Sequence, residues 1–325
     1  MSKTWKKIIG ICIAFALVAV CTACASTGPQ SATGDAAGYT HETTLASEHS
    51  IAPRPGVPPE TFAAEENTAN AAAQPIGPRS VVDPDNSRGL PTKKIEHSFG
   101  VPQNGVVNGI SKESQEFFDQ KGYAAVTYDN KSTAKVLYLT FDCGYENGNT
   151  AIILDVLKEK KVPAAFFCTV DEMRDAPDIV ARMIDEGHIV GNHSLSHPHF
   201  SAISRTEMAK EVLEADNYLR QNFGYSAPFF RFPYGEYNES ALEAVASLGF
   251  TSVFWSSSYK DWDVNDQKGE QYAYDMVTSR LHPGAVILLH SVSSDNAQAM
   301  GRIIDKARAE GYTFRHLTTL PALRS

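Results

Sequence analysis

Val136-Leu137-Tyr138-Leu139-Thr140-Phe141-Asp142-Cys143-Gly144 is an apolar run that stops abruptly at a carboxylate, a thiol and a glycine. Short continuous runs rich in β-branched and aromatic residues read as buried strands, and helical periods surround this one. Ile152, Ile153, Val156 and Leu157 repeat at helical spacing after it, and Ala164 to Val170 is the next strand. A helix carrying Ile179, Val180, Met183 and Ile184 ends at Gly187, a residue suited to the position after a helix. His188 to Gly191 is a third strand, and Ser204-Arg205-Thr206-Glu207 is a capping box opening a helix with Met208, Val212, Ala215 and Leu219 inward. Phe229 to Arg231 is the fourth strand, Asn238 caps a helix stopping at Gly249, and Ser252 to Trp255 is the fifth strand. A helix over Tyr272 to Arg280, a strand over Val286 to His290, a helix over Ala297 to Glu310 and a strand over Thr313 to His316 complete the series. Strands alternating with helices imply right-handed crossovers and a parallel sheet, open or closed into a barrel.

The polar residues mark the working end of that sheet. Asp142 follows the first strand, His193 the third, Arg231 ends the fourth, Asp261 lies after the fifth and His290 ends the sixth. Groups collected at the C-terminal ends of parallel strands are where barrel enzymes do their chemistry.

In Gly191-Asn192-His193-Ser194-Leu195-Ser196-His197 the two histidines stand at i and i+4, on one face if the backbone is helical, so both imidazoles can reach one divalent ion. Cys143 can add a thiolate, and Cys-His-His with an open position is an acceptable catalytic zinc site. A bound ion lowers the pKa of a water to about 7, and Asp142 can take its proton. Each residue also has a plainer reading. Asp142 can cap the following helix, Arg231 can cap a strand end, and His290 can be a core histidine satisfied by backbone. Cys143 can merely fill space while the histidines hold the ion with waters. Arg231 beside Asp142 would instead keep that carboxylate ionised and oriented.

A chain of 325 residues with 42% hydrophobic content can bury a sizeable core. Its net charge of -9 argues against nucleic acid as a partner. Lys3, Lys6 and Lys7 followed by the apolar run Ile8 to Val20 form an export signal over residues 1–25. Ala23-Cys24-Ala25 offers a cleavage site, while Thr22-Ala23-Cys24 ends like a lipobox, so a cleaved signal, an uncleaved anchor and a lipid on Cys24 all stay open. Residues 26–94, rich in Ala, Gly, Pro, Ser and Thr, read as a disordered tether, and residues 95–135, with aromatics at Phe99, Phe117, Phe118 and Tyr123, as a lead-in segment docking on the domain of residues 136–325. Beyond the export signal only Cys143 and Cys168 remain, too few for a disulfide framework.

Phe141-Asp142, His193-x-x-x-His197, Arg231-x-Pro233-Tyr234, Asp261-Trp262 and Leu288-x-His290 occur in one order. Together they resemble the polysaccharide deacetylases, carbohydrate esterase family 4 with the NodB homology domain, over roughly Val136 to Leu320. The resemblance implies a distorted (β/α)7 barrel and metal-assisted removal of acetyl groups from glycans. By position it makes Asp142 the general base, His193 and His197 metal ligands, Arg231 the orienter of Asp142, and His290 the general acid. Asp261 tunes that acid, Tyr234 lends its backbone N–H to the oxyanion, Trp262 walls the groove and Leu288 lines the acetyl-methyl pocket. Asn265-Asp266-Gln267-Lys268-Gly269, His282-Pro283-Gly284 and Ser293-Ser294-Asp295-Asn296-Ala297 are similar to the delta-lactam-biosynthetic branch, which acts on N-acetylmuramic acid in peptidoglycan. Two departures stand out: Cys143 replaces the family's second Asp or that branch's Asn, and Tyr234 stands where a basic residue would meet the muramyl carboxylate. The expectation is an exported, envelope-associated, monomeric peptidoglycan de-N-acetylase using a divalent metal, zinc, with glycan strands as partner. An N-acetylglucosamine deacetylase, an acetylxylan esterase and a non-catalytic glycan-binding domain are the alternatives.

Overall fold

The computed structural model describes residues 79–98 and 100–320. The export signal, tether residues 26–78 and Phe99 lie outside the described residues. The chain opens with β1 (Ile95–Glu96), α1 (Gly109–Lys121) and β2 (Ala125–Val126). The alternating part follows as β3 (Val136–Cys143), α2 (Asn149–Lys160), β4 (Ala164–Cys168), α3 (Val170–Asp175), α4 (Pro177–Asp185), β5 (Ile189–Asn192), α5 (Arg205–Phe223) and β6 (Phe229–Phe230). Then come β7 (Glu236–Tyr237), α6 (Glu239–Ser247), β8 (Thr251–Val253), α7 (Glu270–Thr278), β9 (Ala285–His290), α8 (Ser294–Ala309) and β10 (Thr313–Phe314).

Every residue of β3 is buried, and the strand is the hub of a parallel sheet in the order β10-β3-β4-β5-β6-β8-β2, with β9 on β3. The sheet curls because the chain beyond β8 turns back to β9: Ser257 bridges Ile287 in parallel, and the Leu288 N–H donates to the Ser257 carbonyl at 2.9 Å. The result is the distorted (β/α) barrel expected from the sequence. Phe141 stacks on Phe166 at 5.0 Å in its core, and Leu154, Leu157, Ile303 and Ile304 bury the flanking α2 and α8. Full burial of such side chains stabilises by roughly 1.5–3 kcal/mol each before the cost of ordering them.

The local signals behave as their chemistry requires. Ser204 and Glu207 form both bonds of the capping box on α5, Asn238 caps α6, and Gly187 takes φ +81° after α4. Val170 opens α3, capped by Thr169, rather than ending a strand. Residues 95–135 supply α1 and the edge strand β2, while β1 pairs antiparallel with β7.

Residues 79–94 correct the tether boundary, because they pack on α6 and its surroundings. Arg79 donates to the Leu248 carbonyl and stands 5.2 Å from the Phe250 ring centroid, and Arg88 meets Glu243 at 2.5 Å. The carbonyls of Pro91 and Thr92 accept from Ser240 and Asn238, each at 3.1 Å. These polar anchors are invisible to a composition argument. No helix among the described residues is long and apolar enough to cross a membrane.

Candidate active site

Two carboxylate–cation pairs face each other where β3 and β9 end. Asp142 and His290 are partners in the β3–β9 register. Because side chains alternate along a strand, Thr140 shares the Asp142 face and Leu288 the His290 face.

On the Asp142 side, Arg231 is fully buried yet every part of its fork is used. Nη1 donates to Asp142 Oδ1 at 2.7 Å, Nη2 to Thr140 Oγ1 at 2.9 Å and Nε to the Val253 carbonyl at 2.9 Å. The guanidinium also lies 4.1 Å from the Phe167 ring centroid. Burial pushes the Asp142 pKa up, but Arg231 above all, then His193 and His290, pull it below the ordinary carboxylate value. Asp142 is thus held as the carboxylate. It does not cap α2, whose start at Gly148 has no side-chain cap.

On the His290 side the carboxylate is the buried partner of a histidine. Asp261 Oδ1 lies 2.7 Å from His290 Nδ1, while Oδ2 accepts from the His290 backbone N–H at 2.8 Å and from Asn296 Nδ2 at 2.6 Å. Burial pushes the His290 pKa down, but Asp261 above all, with Asp142, carries it above the ordinary histidine value. With Nδ1–H committed to Asp261, Nε2 is the edge left for proton transfer. The Trp262 ring stands 5.7 Å from the imidazole and is exposed.

The histidine loop differs from the helical spacing considered above. Residues 193–197 are irregular, and Ser194 (φ 76°) and His197 (φ 56°) are both left-handed. This strained loop still brings the two rings to 4.9 Å, and strain of this kind persists where the surroundings enforce it. His193 Nδ1 faces the Arg231 carbonyl at 2.9 Å, which makes it the N–H and turns Nε2 toward Asp142 Oδ2 at 3.6 Å. Burial pushes the His193 pKa down; burial, then His193, takes His197 to about 4. Both imidazoles are neutral at pH 7, the form a metal requires, so their donor chemistry fits a divalent ion.

Cys143 does not join them. It follows Asp142 on the same strand, and its fully buried thiol faces Cys168, its partner in the β3–β4 register, and Ser291. Burial, then Cys168, pushes the thiol pKa well above its ordinary value, the opposite of what a thiolate ligand needs. Among the described residues no group of three or more His, Cys, Asp and Glu is arranged to hold a metal, so the Cys143-His193-His197 set is not assembled.

Tyr234 occupies a left-handed position (φ 59°, ψ 2°) in the turn between β6 and β7, with its ring exposed. It meets His197 edge-on at 4.6 Å and stacks on His199 at 4.3 Å. Three site residues were assigned no role from the sequence. Thr140 stands two before Asp142 and was legible from strand alternation; Asn296 lay in a quoted motif without a role. His199, two residues past His197, carried no signal of its own.

The fold, with relatives over 40% identical, places the chain among the polysaccharide deacetylases. The profile of that family, polysaccharide deacetylase, matches residues 129–253, and the chain belongs to it as a hydrolase. The peptidoglycan-N-acetylmuramic acid deacetylase PdaA of Bacillus subtilis (strain 168) is 41% identical over 59% of this chain and 74% of its own length. An uncharacterised 30.6 kDa protein of Geobacillus stearothermophilus, named for the fumA 3' region, is 44% identical over 64% of this chain and 78% of its own. The solved structure of Bacillus subtilis PdaA, described as a family 4 carbohydrate esterase, superposes with a TM-score of 0.69 at 36% identity, covering 73% of this chain and 100% of that one.

Proposed function

We propose that this protein is a metal-dependent peptidoglycan deacetylase that removes the N-acetyl group of N-acetylmuramic acid outside the cytoplasmic membrane. The observation that carries it is the in-register placing of Asp142 opposite His290, each with its own counter-charge, beside two neutral imidazoles. The muramic substrate is supported by the likeness to PdaA.

His193 and His197 would hold the ion, which when bound would supply Lewis-acid polarisation of the amide carbonyl. Zinc is our reading of it. Asp142 accepts the proton of the attacking water. Arg231 keeps it ionised and fixed in direction. The Tyr234 N–H meets the developing oxyanion, Leu288 lines the pocket for the acetyl methyl group, and Trp262 bounds the sugar. His290 gives its Nε2 proton to the departing amine, and Asp261 stabilises the imidazolium that does so. Acetate and a free amine result.

Residues 136–325, with the lead-in segment of residues 95–135, form the catalytic part, and residues 1–25 direct export. The chain acts as a monomer on glycan strands, held to the membrane by its N-terminal segment or a lipid on Cys24. Cys24→Ser should move a lipidated protein to the soluble fraction; unchanged membrane partition favours an uncleaved anchor. For activity, acetate released from purified peptidoglycan is measured with and without a chelator. Release that the chelator abolishes and zinc restores supports the proposal; equal release in both samples overturns the metal, and no release from peptidoglycan overturns the substrate.

A further inference from the structure

The turn that carries Tyr234 cannot hold its shape alone. Tyr234 (φ 59°) and Gly235 (φ 65°) are consecutive left-handed residues, and a tyrosine keeps that backbone only where its surroundings enforce it. The turn closes on itself through the Gly235 N–H, which donates to the Phe232 carbonyl at 3.0 Å. Glu236, the next residue, is buried, with Oε2 2.8 Å from His199 Nδ1 and Oε1 3.3 Å from Lys94 Nζ. Lys94 lies outside residues 129–253, the stretch that the family profile matches. Further restraints come from outside that stretch too, and they meet at His97.

The His97 N–H donates to the Gly235 carbonyl at 3.0 Å, one residue beyond the β1–β7 pairs. Its buried imidazole lies between Phe254 and Trp255, each ring 5.1 Å away. Nε2 stands 2.7 Å from the Trp255 carbonyl, and since a carbonyl only accepts, Nε2 carries the hydrogen. Trp255 in turn covers Gly235: a Cβ on that glycine would lie 2.7 Å from Trp255 Cη2 and 2.9 Å from the His97 carbonyl. His97, Trp255 and Gly235 therefore close a ring of contacts, and the same indole stands 5.9 Å from the Arg231 guanidinium. Nδ1 of His97 is buried with no hydrogen-bond partner among the described residues. A phenylalanine would fill this space without that cost. What the imidazole adds is the bond to the Trp255 carbonyl, which fixes the indole over the turn.

We propose that His97 is a positioning residue for deacetylation: from the lead-in segment it sets the direction of the Tyr234 N–H. It touches no substrate and acts by two routes. Its backbone N–H fixes the Gly235 carbonyl, and its imidazole fixes the indole packed on Gly235. A rotation at either left-handed residue would turn the Tyr234 peptide plane away from the carbonyl oxygen on which charge develops. Loss of an oxyanion donor costs roughly 10²–10³-fold in turnover, so misdirecting one costs a part of that. The inference rests on the deacetylase reading above and on Tyr234 as the oxyanion donor within it.

The test uses de-N-acetylated peptidoglycan strands re-acylated with either acetyl or trifluoroacetyl groups, and compares kcat/KM for release of the two acids. Fluorine draws charge off the oxyanion, so the trifluoroacetyl substrate depends less on a hydrogen-bond donor. His97→Phe, which keeps the volume and loses the Nε2 bond, should lower the acetyl rate about tenfold and raise the trifluoroacetyl-to-acetyl ratio about threefold or more. His97→Gln, whose amide N–H can reach the Trp255 carbonyl, should return the ratio toward that of the wild type. Gly235→Ala should raise it as His97→Phe does, by displacing the turn directly. Because the readout is a ratio between two substrates on one protein, partial misfolding does not mimic the effect. A ratio raised in Gly235→Ala and unchanged in His97→Phe overturns the inference while leaving the role of Tyr234 standing. Unchanged ratios in both overturn the inference and that role together, and a wild type that releases neither acid overturns the deacetylase reading itself.

Discussion

Asp142 with Arg231 and Asp261 with His290 are the same chemical pair, a buried carboxylate against a cation, which the proposed function puts to opposite uses. In the proposal the carboxylate of the first pair works and the cation is its fixture; Arg231 cannot lose its proton, so the pair holds Asp142 ionised. In the proposal the cation of the second pair works and the carboxylate is the fixture; imidazolium can lose its proton, and Asp261 favours the charged form of His290. The lesson is that the partner's ability to titrate, more than the distance, decides which member of an ion pair does chemistry. Both distances are 2.7 Å.

The comparison breaks hardest if a working member is removed. Asp142→Asn and His290→Ala should each lower turnover by about 10²-fold or more while glycan binding stays intact, measured as acetate release beside a pull-down on insoluble peptidoglycan. Removing a fixture should cost less activity and more fold. Arg231→Met leaves Asp142 buried without its cation, and loss of one partner of such a pair destabilises by about 3–5 kcal/mol, to be read from denaturant unfolding. Asp261→Asn should cut turnover at neutral pH by roughly tenfold, because burial then lowers the His290 pKa against Asp142 alone and the acid form is depleted. Asn296→Ala removes one donor to Asp261 Oδ2 and should reduce turnover only a few-fold, the scale of about 1 kcal/mol for a single hydrogen bond. The smallest effect is expected at Cys143. If its thiol faces Cys168 rather than the ion, Cys143→Ser retains zinc after dialysis as the wild type does, far from the roughly 10- to 100-fold loss that even an outer-shell partner brings.

How much of this was written in the chain depended on how local each signal is. β3, β4 and β9 were legible because five or more consecutive buried residues leave a run that no surface segment shows. The two-residue strands β1, β2 and β7 were not, since their pairing is decided by what lies opposite. Asp142, Arg231 and His290 were legible as polar residues closing apolar runs. Cys143 was misplaced for a reason the sequence already held: consecutive residues on a strand point to opposite faces, so if Asp142 faces the site Cys143 faces the sheet behind it. The histidines were read as helical neighbours; two left-handed residues brought their rings together in a loop instead, and positive φ at Ser194 and His197 has no signature in a non-glycine sequence. His199 and Glu236 gained their relation only through the fold.

The most direct test of the two-pair account is the pH dependence of kcat/KM for acetate release by wild type, Arg231→Lys and Asp261→Asn. The wild type should give a bell, its acid limb set by Asp142 losing its negative charge below its lowered pKa and its alkaline limb by His290 losing its proton above its raised one. Arg231→Lys should move the acid limb to higher pH and leave the alkaline limb in place; Asp261→Asn should move the alkaline limb to lower pH and leave the acid limb in place. Limbs that move together, or stay where the wild type has them in both variants, contradict the assignment of base and acid.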